Sequence, residues 1–191
     1  MVMIEYICII KTIFGGKKIL ESIGYLSREE LRRARIWLLG DLDLSSVAKE
    51  FEKRNIPTVL QKTEAPFIFL RENLSDTARI VFLNENIMLY PSMPKALLDI
   101  LDTKLDAGFV SAKFCEFPQK YIVNDIYKPS ILTEVEGKGI LPIDIASPYL
   151  FVCRGKVFKE IDFAQKSLFG IGLRRLGYQN YLATEVEVGY E

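Results

Sequence analysis

A chain of 191 residues that is 49% apolar can fill one globular core and is too apolar to stay disordered. Lys+Arg and Asp+Glu both number 25, which argues against the basic surface that a nucleic-acid or anionic-membrane partner needs. Histidine is absent, and this excludes His-based triads, His–zinc sites and the commonest general base.

Residues 4–10 are a continuous apolar, β-branched run, which predicts a strand buried on both faces. Glu5 interrupts that run, and no basic region or small-residue cleavage site surrounds it, so no signal peptide is expected. No segment approaches the roughly 18–20 uncharged apolar residues of a spanning helix, and a cytoplasmic protein is expected. Gly15-Gly16 then reads as a break before a helix over residues 17–25, with Ile19, Leu20 and Ile23 at helical spacing. The stretch Phe14-Gly15-Gly16-Lys17-Lys18 lacks the spacing of a phosphate-binding P-loop and reads as a flexible turn.

Ser27 to Glu30 reads as a capping box opening a short helix. A second buried strand follows over residues 35–40. Ser45 or Ser46 then caps a helix with Val47, Ala48 and Phe51 on its inner side. Pro57 ends that segment, and Thr58-Val59-Leu60 predicts a third strand. The β-α-β-α-β order implies a parallel sheet with right-handed crossovers. In such sheets ligands bind beyond the carboxyl ends of the strands. Those ends carry Lys11 and Thr12, Asp41 and Asp43, and Gln61-Lys62. Arg71, after the run 67–70, is a candidate for holding a phosphate bidentately.

Residues 79–83 predict a further strand with Asn84-Glu85-Asn86 at its carboxyl end. A helix begins near Pro91 to Pro94 and runs through Leu97 and Leu101, and another strand spans residues 108–112. Residues 115–143 are irregular, with Pro118, Pro129 and Pro142, and read as short strands and loops covering a cleft. A strand over 149–153, helices over 154–161 and 166–176, Gly177 as a helix cap, and strands over 178–183 and 186–188 complete the chain. The thiols Cys8, Cys115 and Cys153 have no metal-binding spacing and are expected to be buried. No repeat or linker divides the chain, so residues 1–191 are expected to form a single domain.

Two stretches carry a resemblance. The run RIVFLNENIMLYP over residues 79–91 resembles the strand and acidic DxD-type turn of GT-A glycosyltransferases. The run SPYLFVCRGKVFKEI over 147–161, with LRRLGYQNYLA over 173–183 and VEVGYE over 186–191, resembles the acceptor half of family-2-type transferases. The small size is similar to that of the minimal glycosyltransferases of archaeal viruses, which would place the protein in the host cytoplasm.

The resemblance implies an α/β, single-domain GT-A fold, Rossmann-like with a mixed, mostly parallel central sheet. Residues 1–90 would form the nucleotide-binding half and 91–191 the acceptor half. It implies a nucleoside-diphosphate sugar donor, a hydroxyl acceptor on a glycan, protein or lipid, and Mn²⁺ or Mg²⁺ near the diphosphate. On this reading Asp41, with Asp43 as its competitor, reads the nucleobase, and Lys11 and Thr12 meet the nucleotide. Glu85 ligates the metal, flanked by Asn84 and Asn86. Asp144, between two isoleucines, is the candidate base, with Asp125, Glu160 and Asp162 in reserve. The sequence departs from the family where DxD becomes Asn84-Glu85-Asn86, where the usual Glu-Asp pair becomes Gln165-Lys166, and where the terminal Gly-His-Glu becomes Gly189-Tyr190-Glu191. These departures leave a second reading, a catalytically silent GT-A-like binding or assembly protein.

Overall fold

The computed structural model describes residues 3–114, 138–143, 146, 149–161 and 171–190. Strands β1 (Ile4–Ile9), β2 (Ala34–Gly40), β3 (Thr58–Lys62) and β4 (Arg79–Asn84) run parallel, in the spatial order β3-β2-β1-β4. β8 (Leu150–Arg154) pairs antiparallel with β4, and β6 (Ala107–Phe114) pairs antiparallel with β8. β9 (Gln179–Tyr190) runs parallel to β6. The short strands β5 (Ile87–Met88) and β7 (Ile140–Ile143) both pair antiparallel with β9, completing a nine-stranded sheet.

Side chains alternate across the strands, as the two-residue period of a strand requires. Tyr6 and Cys8 join one buried cluster with Ile19 and Ile23 of α1 (Ile13–Gly24), Val47 and Phe51 of α3 (Ser45–Lys53), and Leu97 and Leu101 of α5 (Met93–Thr103). Ile7 joins the other, with Leu70 of α4 (Pro66–Asn73) and Val157 and Phe158 of α6 (Gly155–Glu160). Phe151 lies at the centre of that second cluster, its ring 4.8 Å from Phe82 and 4.3 Å from Phe109. The result is helix, sheet and helix in three layers.

The handedness of the crossovers explains which helix takes which face. From β1 to β2 to β3 the chain moves one way across the sheet, with α1 and α3 on one face. α2 (Arg28–Arg33), opened by the expected capping box of Ser27 and Glu30, lies between α1 and β2. From β3 the chain returns past β1 to β4, and α4 must then lie on the opposite face. The direction therefore reverses between β1 and β4, and that is where an α/β sheet opens a crevice at its carboxyl edge.

Several sequence expectations change. α1 begins at Ile13, capped by Thr12, so Gly15 and Gly16 lie inside its first turns rather than breaking the chain before it. The reason is space: a Cβ on Gly15 would sit 2.1 Å from Glu85 Oε2, and one on Gly16 3.0 Å from Val47. Neither Ser45 nor Ser46 caps α3. The N-cap is Leu44, which offers no side-chain bond, and Asp43 just before it accepts from the Ser45 N–H at 2.9 Å. α4, with Pro66 in its first turn, and β5 went unread in the sequence. Residues 171–176, expected as the end of an α-helix, form a 3₁₀ turn, and the two expected terminal strands are one strand, β9. Gly177 takes the left-handed conformation, φ 86°, of a helix cap. Cys8 and Cys153 are buried, and burial pushes both thiols well above their ordinary range. Cys115 lies outside the described residues. Among the described residues, no helix is long and apolar enough to cross a membrane.

Candidate functional site

Register places the carboxyl ends of the parallel strands side by side. Ile9 is level with both Leu39 of β2 and Asn84 of β4. Lys11 and Thr12 leave β1, Asp41 leaves β2, and Lys62 ends β3, level with Gly40. The edge therefore reads, from β3 to β4, as Lys62, Asp41 with Asp43, Lys11 with Thr12, then Asn84 with Asn86. Lys11, Asp41, Asp43 and Lys62 are exposed, and the two asparagines are half-buried.

Asp41 and Asp43, which the sequence leaves in competition, differ in what holds them. Asp43 Oδ1 accepts from both the backbone N–H and the hydroxyl of Ser45, at 2.9 and 2.5 Å. Those bonds, aided by Lys62 and Lys49, hold its carboxyl below the ordinary aspartate range. Asp43 is thus occupied with starting α3, and Asp41 is the exposed carboxylate beside it at the end of β2.

Glu85 points into the fold. It is 8% exposed, and its Oε2 accepts from the Lys11 N–H at 2.8 Å, the Thr12 N–H at 3.1 Å and the Thr12 hydroxyl at 3.5 Å. The Thr12 hydroxyl in turn accepts from the Gly15 N–H at 2.8 Å as the cap of α1. A carboxylate suits this place, because the first turn of a helix presents unpaired N–H groups and the positive end of its dipole. In the same turn Asn84 Oδ1 accepts from the Asn86 N–H at 3.1 Å.

A hard cation such as Mn²⁺ or Mg²⁺ selects oxygen ligands, carboxylates foremost. At this turn the carboxylate oxygen is surrounded by N–H and O–H donors, and the Asn84 oxygen already accepts a backbone bond. In this arrangement Glu85 Oε2 and Asn84 Oδ1 are turned to the protein's own N–H groups and not to a divalent cation. Among the described residues, no group of three His, Cys, Asp or Glu side chains is gathered elsewhere either.

Among the described residues, the remaining candidates do not join the cluster. Arg71 lies in the last turn of α4, the helix that carries the chain from the carboxyl edge of β3 back to the amino edge of β4. That direction sets it towards the edge opposite Asp41. Glu160 ends α6, which follows β8 at the same opposite edge, where Arg154 pairs with Arg79. Asp125, Asp144, Asp162, Gln165 and Lys166 lie outside the described residues. Ile143, the residue before Asp144, pairs with Asn180 near the start of β9, also towards the amino edge.

No protein-family model and no curated protein sequence matches this chain. Solved structures do match in shape. A mannosyltransferase from Pyrobaculum calidifontis, PcManGT, in complex with GDP-Man and Mn²⁺, superposes with a TM-score of 0.68 at 12% identity. The match covers 97% of this chain and 56% of that one. TarS from S. aureus superposes with a TM-score of 0.65 at 11% identity, covering 98% of this chain and 36% of that one. The fold is of the GT-A type. The chain spans little more than half of the first of these structures and about a third of the second. At such identities the likeness is one of fold, and the switch-point cluster must be read on its own chemistry.

Proposed function

We propose that this chain is a glycosyltransferase that binds a nucleoside-diphosphate sugar across the carboxyl edge of β2, β1 and β4. The observation that carries this reading is the gathering of Lys11, Thr12, Asp41, Asn84 and Asn86 at the switch point of a GT-A-type sheet. Each has a chemical task there. The Asp41 carboxylate accepts the N–H of a nucleobase. Lys11 and Thr12, at the end of β1, face the nucleotide. The amides of Asn84 and Asn86 offer both donors and acceptors to ribose and phosphate oxygens.

In the reaction an acceptor hydroxyl oxygen bonds to the anomeric carbon. The bond from that carbon to the diphosphate oxygen breaks, the nucleoside diphosphate leaves with the electron pair, and the hydroxyl proton passes to a base. The growing charge on the leaving diphosphate needs fixed positive partners. Lys11 and Lys62, at the ends of β1 and β3, are cations on this edge that can supply them. No step is assigned to a metal, because Glu85 Oε2 accepts from the Lys11 and Thr12 N–H groups and Asn84 Oδ1 from the Asn86 N–H. Asp144 as the base is tested by Asp144→Asn. A fall in rate of about 10²–10⁴-fold assigns it that role, and an unchanged rate removes it.

The test of the reading is a thermal-shift series with UDP, GDP and their sugar conjugates. A ligand at 100 times its Kd adds about 2.7 kcal/mol to stability, or roughly 5–11 °C in a chain of this size. Asp41→Ala should weaken the stabilising nucleotide about tenfold or more. The engaged state of Glu85 favours one rival, a silent module that kept nucleotide binding and lost transfer. Release of free sugar from the donor separates the two, since a transferase leaks some sugar to water and a silent module does not.

A further inference from the structure

We infer that Glu85 is a latch that positions the two flanks of the crevice against each other. This rests on the donor-site reading for its functional consequence but not for its structural one. The crevice opens between β1 and β4, and Glu85 bridges that gap. It sits in the turn after β4, yet its carboxylate is bound by the backbone of Lys11 and Thr12 after β1. Two of these bonds are charge-assisted contacts to main-chain amides, at 2.8 and 3.1 Å, which fix backbone and not merely side chain. One residue further on from Asn86, the Ile87 carbonyl accepts from the Ser22 hydroxyl of α1 at 2.7 Å. The 85–87 turn is therefore bolted to α1 at its first turn and again near its end.

The sequence has made room for this contact. Gly15 has no Cβ where a Cβ would meet three atoms of Glu85, Oε2 at 2.1 Å, Cδ at 2.6 Å and Cβ at 2.8 Å. A glycine in the first turn of a helix sacrifices helix propensity relative to alanine. The three atoms nearest to such a Cβ all belong to Glu85. The pair therefore behaves as one device: a buried carboxylate filling the anion niche at the start of α1, and a glycine that admits it. Lys11 and Thr12 on one side and Asn84 and Asn86 on the other are held at a fixed spacing as a result. The niche that could receive a phosphate of the donor is already occupied by the chain itself, which places the diphosphate outside it, over Lys11.

The device is tested on the whole chain in buffer containing EDTA, with no nucleotide. Glu85→Ala should lower Tm by roughly 4–8 °C and speed hydrogen exchange at the Lys11 and Thr12 amides. Glu85→Gln keeps an accepting oxygen and should recover at least half of both losses. Gly15→Ala should lower Tm in the native chain, but should cost less or stabilise in a Glu85→Gly background, which removes the Cβ at 2.8 Å along with the carboxylate. Additive effects of the two substitutions would overturn the latch. So would a rise in Tm when Mn²⁺ replaces EDTA that Glu85→Ala abolishes, since Glu85 would then be a ligand and not a latch. With UDP or GDP added, Glu85→Ala should weaken whichever binds about tenfold, and Glu85→Gln should restore it. Binding by neither nucleotide in the native chain would sink the donor-site reading and leave the coupling with Gly15 standing or falling on its own.

Discussion

Glu5 and Glu85 are both buried carboxylates attached to neighbouring strands, and they lie at opposite edges of the sheet. Glu5, 7% exposed near the start of β1, accepts from the Trp37 indole N–H at 2.7 Å and meets the Arg35 guanidinium at 3.5 Å. Its charge is balanced by a full opposite charge, on a side chain two residues from the indole along β2. Glu85 is held instead by main-chain N–H groups and one hydroxyl. The amino edge thus settles its buried charge with side chains, while the carboxyl edge does so with backbone. Side-chain partners can shift without moving a strand. Backbone partners cannot, so the carboxylate at the crevice also sets its geometry.

This contrast can be broken first at the amino edge, where the largest effect is expected. Glu5→Ala leaves the buried indole N–H unpaired and opens a gap, which should cost about 2–4 kcal/mol in chemical denaturation. Because the crevice is at the other edge, nucleotide affinity should stay within about twofold. Glu85→Ala should cost less, about 1–3 kcal/mol, since water can reach the exposed Lys11 and Thr12 once the carboxylate is gone. It should nonetheless be the variant that loses affinity. Equal losses of affinity from both variants would show that general destabilisation, not position, is responsible. Arg35→Ala should be milder still, about 1 kcal/mol or less, and its effect should shrink as salt is raised, because the guanidinium is 42% exposed.

The parallel half of the fold was legible because its strands are short apolar runs separated by turn residues, and their order fixes the crossovers. α4 was missed for a physical reason. Phe67 to Leu70 is an apolar run without helical period, since Phe67 stacks on Phe82 and Phe69 meets Trp37 while Ile68 is left exposed. The site was legible as a list of strand ends but not as contacts. Glu85 reads in sequence as an open acidic turn, and only the fold shows its carboxylate turned towards Thr12. The sequence does carry one signal: paired glycines in a helix starting at a capping threonine imply something pressed against its first turn. Asp41 and Asp43 could not be separated by sequence, because the distinction is a hydrogen bond to Ser45.

That last distinction has a consequence in pH. Asp43 has its pKa lowered in the folded chain, chiefly by the Ser45 hydroxyl and backbone N–H, so the native state prefers the ionised form more strongly than the unfolded chain does. The resulting stability is present above the unfolded value, about pH 4, and is lost as pH falls through the lower folded value. Asp43→Asn keeps an oxygen acceptor for Ser45 and removes only the charge. Its Tm should lie slightly below that of the native chain at pH 7, and the two should converge as pH drops below 4. Asp41→Asn, at a carboxylate that makes no bond to Ser45, should instead register in nucleotide binding. No pH-dependent gap at Asp43, or unchanged nucleotide binding in Asp41→Asn, would undo the division of labour between the aspartate bonded to Ser45 and the one left open to the crevice.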